Sequence, residues 1–304
     1  ARESEDLGWL ELVGPDLVAN EAQSMSIEAG RVSCAQPFDS WMRASALWRE
    51  HARRTGHRAS LDRAAAAASD AGRHTATPDQ TAMAALESGE IHLLRFDLFG
   101  GPEKLNAAVA DVQSLTADRA ATRSAAAALH ARLSARRARL SGEPAAMLDA
   151  AALLDAALHG AKALPATVSD DLRLDRAALG LEAGVARRDG RLLDQAGRDL
   201  RMLVESASPD YRPLTRARAL ALAGTGLMAL ARLAKDEAAT AQGQALFAAA
   251  ADQSTACQQC PPVSSTVVWL AQARQTVWSL QKTLPPAAGP ATPLKGLKAT
   301  QQSQ

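Results

Sequence analysis

RLSARRARLSGEPAA, residues 132–146, sets four arginines within eight residues and then breaks at Ser141-Gly142-Glu143-Pro144. Such a run is either a basic grip on a nucleic acid or one helix of a repeated hairpin reaching its turn. The residues upstream favour the hairpin. Ala126, Leu129, Leu133, Arg136 and Leu140 follow a three-and-four step, so an apolar stripe points inward and only the Arg136 stem interrupts it. Beyond the turn, Met147, Leu148, Ala151, Leu154, Ala157 and Leu158 give the partner helix a matching stripe. One hairpin cannot cover both stripes, so neighbouring hairpins must stack to bury the remainder.

The same punctuation recurs along the chain. Turns fall at Thr55-Gly56-His57, Gly100-Gly101-Pro102, Ser141-Gly142-Glu143-Pro144, Asp189-Gly190 and Lys235-Asp236-Glu237. The markers at 56, 100, 142, 190 and 236 lie 44, 42, 48 and 46 residues apart, which is a repeat. Each turn follows a long helical pattern and precedes a shorter one: Ser60 to Ala71, Pro102 to Leu115, Pro144 to Ala161, Arg191 to Ala207 and Glu237 to Ala256. Thr77-Pro78-Asp79-Gln80 supplies an N-cap hydroxyl, a first-turn proline and a capping-box glutamine. Alanine, the best helix former, makes up almost a quarter of the 304 residues, whereas aromatic residues make up 3%. The expected fold is all-α: an α-solenoid of about five stacked helical hairpins over 41–256, with a capping helix over 264–282 and a disordered tail over 285–304. Residues 1–40, with seven acidic side chains before Arg31, form an acidic N-terminal segment that serves as an arm or cap.

Ala183-Gly184, Ala196, Leu200 and Pro209 trace one small-and-large residue pattern, and Leu227, Leu230-Ala231, Ala234, Gly243, Phe247 and Ala250 trace a second. In these two hairpins the chain resembles degenerate tetratricopeptide repeats. The aromatic positions of that family are mostly Leu, Ala or Arg here, Gly180 stands where it prefers a bulky residue, and the period exceeds its 34 by about ten. The resemblance implies a right-handed array whose first helices line a concave, partner-binding face. On that basis the chain is expected to be a noncatalytic interaction scaffold or adaptor for a partner protein or an acidic peptide. The alternative is a sensory or regulatory module that binds a small ligand or controls an appended domain.

Basic residues on the first helices are the candidate contacts. Arg123, His130 and Arg137 recur every seven residues, and Arg95, Arg173, Arg187 and Arg216 extend the set along the other first helices as a peptide-binding groove. The whole chain is nearly neutral, with 34 basic against 33 acidic residues, and no aromatic residues lie beside the arginine cluster. Nucleic acid is therefore not an expected partner. No apolar run approaches the roughly 20 residues needed to span a bilayer, so membrane insertion is not expected. Position 1 is Ala, so prior removal of a leader or anchor stays open, and with it the choice between cytoplasm and periplasm.

Catalytic patterns are missing. There is no Gly-x-Ser-x-Gly elbow, no phosphate-binding loop with its Lys and no His-Glu-x-x-His helix, and neither a cofactor nor a metal is expected. Asp171 and Asp175 sit one turn apart, as in helical magnesium sites, but N-capping by Ser169 or Asp170 accounts for this acidic stretch more simply. The Ala223-Gly224-Thr225-Gly226 patch reads as a close approach between helices. Cys257 and Cys260 admit three readings: free thiols, a structural disulfide outside the cytoplasm, or a metal or redox pair.

Overall fold

The computed structural model describes residues 13–31, 33–160, 164–187, 189–206, 213–234 and 237–255. Among them lie eleven α-helices and no strand. α1 is Pro15–Ala29, α2 Pro37–Thr55, α3 Arg58–Arg73, α4 Pro78–Phe99, α5 Pro102–Gln113 and α6 Ala120–Ser141. α7 is Pro144–Gly160, α8 Ala166–Arg187, α9 Gly190–Ser206, α10 Pro213–Ala234 and α11 Glu237–Thr255. Consecutive helices pack against each other from α1 to α11, and α2–α3, α4–α5, α6–α7, α8–α9 and α10–α11 form a hairpin series.

The turns are where backbone chemistry puts them. Gly142 closes α6 with φ 68°, a left-handed conformation that a Cβ disfavours, and Pro144 opens α7 two residues later. At the start of α4 the Thr77 hydroxyl accepts the Gln80 amide at 3.2 Å, and the Gln80 side chain accepts the Ala76 amide at 2.7 Å. Ser169 and Asp170 are not caps. Pro165 precedes a helix that begins at Ala166, and the Ser169 amide already donates to the Pro165 carbonyl, so both residues lie inside α8.

Each hairpin interior is completed by the next hairpin. Val18 of α1, Trp48 of α2 and Leu61 of α3 share a core with Ile91 of α4. Leu86 and Leu93 of α4 and Leu105 of α5 pack with Leu129 and Leu133 of α6. Met147 and Leu154 of α7 meet Leu172 and Leu179 of α8. Leu174, Leu200 and Leu203 continue into Leu220, Leu227 and Leu246 of the last pair. Burial of this kind, at roughly 25 cal/mol per Å² of apolar surface, is the main cohesive term, and it spreads across hairpin boundaries. Leu140 departs from the expected stripe: it is exposed in the last turn of α6. Gly224 of α10 faces Gly243 of α11, where a Cβ on either would strike the backbone oxygen of the other, so these glycines do permit a close approach.

Within the acidic segment 1–40, α1 lies against α2. The Trp48 indole donates to Ser26 Oγ at 3.3 Å, and the Arg54 guanidinium donates to the Val13 carbonyl. Residues 264–282 and 285–304, expected as capping helix and tail, and the pair Cys257 and Cys260 lie outside the described residues.

A candidate interaction face on the first helices

The long first helices alternate in charge. α2 carries four arginines against two acidic residues, and α4 carries four acids against one arginine. α6 carries five arginines and no acid, and α8 carries four acids against three arginines. These helices also touch one another in sequence, α2 on α4, α4 on α6, α6 on α8 and α8 on α10. Unlike charges are thereby brought face to face.

The result is one continuous chain of ion pairs across five helices. Arg49 of α2 grips Glu87 of α4 through two nitrogens at 2.9 and 3.1 Å, and its third nitrogen is 4.0 Å from Glu90. Glu90 receives Arg132 of α6 at 3.0 Å. The other side of Arg132 reaches Asp171 of α8 at 3.0 Å and lies 3.5 Å from Asp175. Asp171 in turn accepts Arg218 of α10 at 3.1 Å. One turn further along α6, Arg136 forks onto Asp97 of α4 at 2.8 and 3.0 Å and meets Asp175 of α8 at 2.5 Å. Arg139 closes the row on Glu182 of α8. Paired forks of this type are the strongest protein hydrogen bonds.

Arg132, Arg136 and Arg139 stand at i, i+4 and i+7 and so share a face of α6. That geometry answers the question raised by residues 132–146: three of the four arginines bind this chain's own carboxylates. Glu87, Arg132, Arg136 and Asp175 are buried, whereas Asp171 keeps 30% side-chain exposure. Burial opposes the charge on Asp171, yet the guanidiniums of Arg132, Arg218, Arg53 and Arg136 outweigh it and hold the carboxyl down to about 2. Burial works likewise against Arg49, Arg132 and Arg136, and their carboxylate partners reverse it and raise all three.

A second set of pairs ties α4 and α8 to second helices. Arg176 of α8 forks onto the fully buried Asp199 of α9 at 2.6 and 2.8 Å and also contacts Asp155 of α7. Arg95 of α4 donates to Asp62 of α3 at 2.8 Å.

The residues singled out from sequence occupy diverse places. Arg95 is engaged with Asp62, Arg173 lies 3.5 Å from Asp170 on its own helix, and Arg216 donates to the Val204 carbonyl. Arg123 bonds the loop carbonyls of Ala117 and Asp118, and His130 lies 2.7 Å from the Gln113 side chain at the end of α5. Arg137 and Arg187 are exposed. Arg137 stands close enough to His130 to add to the burial that lowers its pKa. Glu87, Glu90, Asp97 and Glu182 are not singled out by the sequence reading, although a signal exists. The cross-hairpin pairs span 38, 42, 39, 43 and 47 residues, which is one repeat period. Asp171 and Asp175 are engaged by arginines, and among the described residues no group of His, Cys, Asp or Glu is arranged to hold a metal ion. No helix among them is long and apolar enough to cross a membrane.

Comparison with protein-family models, with curated proteins and with solved structures returns no match. What fold and site define is therefore a class: an all-helical chain of packed hairpins with an ion-paired first-helix face.

Proposed function

We propose that this protein is a noncatalytic interaction scaffold, a tetratricopeptide-like solenoid of five hairpins that presents the face of α2, α4, α6, α8 and α10 to a partner protein or peptide. The observation that carries the reading is the contact of each first helix with the next, bridged by side chains one repeat apart. That contact pattern supports the reading that the first helices form the inner side of a curved stack, where repeat arrays keep their extended binding surfaces. Most inner arginines already hold carboxylates of this chain, so recognition of an acidic segment falls to the exposed Arg123, Arg137 and Arg187, which stand on other sides of α6 and α8 than the ion pairs.

A photo-crosslinking amino acid placed at the exposed Met83 of α4 or Ala121 of α6, on the ion-paired sides of those helices, or at the exposed Asp149 of α7 or Arg198 of α9, tests the reading in cells. One recurring adduct from the first-helix positions and none from the second-helix positions is the expected outcome. Adducts distributed equally over both sets would refute it. Charge reversal at Arg123 and Arg187 that leaves affinity for the captured partner unchanged would remove the acidic-segment version alone.

A further inference from the structure

The ion pairs and the apolar packing hold the hairpins together at different places, and the two respond differently to salt. Between hairpins, Leu129 and Leu133, Leu172 and Leu179, and their counterparts are buried hydrocarbon, which simple salts at moderate concentration do not loosen. The Arg49–Glu90–Arg132–Asp171–Arg218 chain lies on the first-helix side alone, with contacts of 3.0 to 4.0 Å and partly solvent-exposed carboxylates. The screening length in water falls from about 10 Å at 0.1 M salt to about 3 Å at 1 M, which reaches the scale of these contacts.

We propose that this chain is an electrostatic clasp that sets the curvature of the array, so that the first-helix face widens when its charges are screened while the apolar packing acts as the hinge. The proposal rests on the reading of that face as the binding surface only for its use, which is to match the width of the face to a partner. Arg132 and Arg136 are the keystones, because each bridges an acidic helix on either side. Without them Asp175 loses both of its arginines and Glu90, Asp97 and Asp171 lose one each, so the acidic sides of α4 and α8 keep less positive charge between them. Such a face is pushed open at low salt and relaxes inward as salt is added.

The test is small-angle X-ray scattering of the full chain, extrapolated to zero protein concentration, from about 0.02 to 1 M NaCl, a range that carries the screening length past the pair spacing. Circular dichroism is followed in parallel. The expected result is a radius of gyration that rises with salt at constant helicity. Arg132→Met/Arg136→Met should start wider and show the opposite slope, and Arg198→Gln on the outer side of α9 should keep the original one. A radius that does not change with salt in the unsubstituted protein overturns the proposal, and so does a double variant that keeps its slope. If the double variant does not fold, the series on the unsubstituted protein decides alone. Loss of the salt response leaves the crosslinking pattern untouched, and loss of that pattern leaves the salt response untouched, so the two readings fail separately.

Discussion

The hairpin interiors and the first-helix face are built from opposite materials. Inside, Leu133, Leu154, Leu172 and Leu200 are fully buried among alanines, and any apolar residue of similar size would serve. On the first-helix face, Arg132, Arg136, Asp171 and Asp175 meet as charged groups in fixed positions, and each needs its own partner. The difference teaches where order along the array comes from. Apolar packing, rich in alanine and leucine, is non-directional, whereas charge alternation favours a basic first helix beside an acidic one. An ion pair with little net value for stability can still choose between arrangements.

Breaking the comparison at its strongest point gives the largest effect. Arg136→Met takes the fork from Asp97 and leaves the buried Asp175 with the longer contact to Arg132, and urea denaturation should show a loss of about 3 kcal/mol, as for other buried pairs missing one member. Replacing all three together with apolar residues of similar volume should cost far less or even stabilise, because no orphan charge remains. Leu133→Ala, in the interior one turn away, should cost about 2–5 kcal/mol through transfer and cavity terms. Here, unlike at Arg136, a second apolar change that refills the volume should restore stability.

Smaller effects sharpen the contrast at its edges. Gly142→Ala forces a side chain into a left-handed turn at φ 68° and should lower stability by about 1–2 kcal/mol in the same assay. The pH dependence should be weaker still. His51, His92 and His130 are all lowered from 6.5, chiefly by burial, with nearby cations adding to it: His57 and Arg54 at His51, Lys104 and Arg95 at His92, and Arg137 at His130. Their unfolded forms take up protons first as pH falls through 6.5, so the stability they contribute is present above that value and is lost below it. Thermal midpoints should therefore fall between pH 7 and pH 5. A midpoint that rose over this interval would contradict the burial of these rings.

Much of the fold is legible in the sequence because glycine and proline act locally. Gly56, Gly142 and Pro144 mark turns without reference to any distant residue, and Thr77 with Gln80 caps its helix from four positions. α1 is harder to see, since Val18, Ala22 and Ala29 form a sparse apolar stripe that gains meaning only against α2. Ser169 and Asp170 misled because a helix start is set by backbone geometry at Pro165 and not by the nearest capping side chain. The candidate site was legible only in part. The arginines of α6 are conspicuous, but spacing on one helix picks out Arg123, His130 and Arg137, while the partners of Arg132 and Arg136 lie one repeat away on both sides. Comparing charge signs between successive first helices reveals them, and counting charges along one helix does not.

The central claim is that the arginines of α6 are joints between hairpins. A double-mutant cycle on Arg136→Met and Asp175→Asn, read by equilibrium unfolding, tests it most directly because this pair links α6 to α8 across a hairpin boundary. A coupling energy of about 1–3 kcal/mol is the predicted result, within the range for groups in direct contact. Changes that add to within about 0.5 kcal/mol, the behaviour of independent sites, would contradict it.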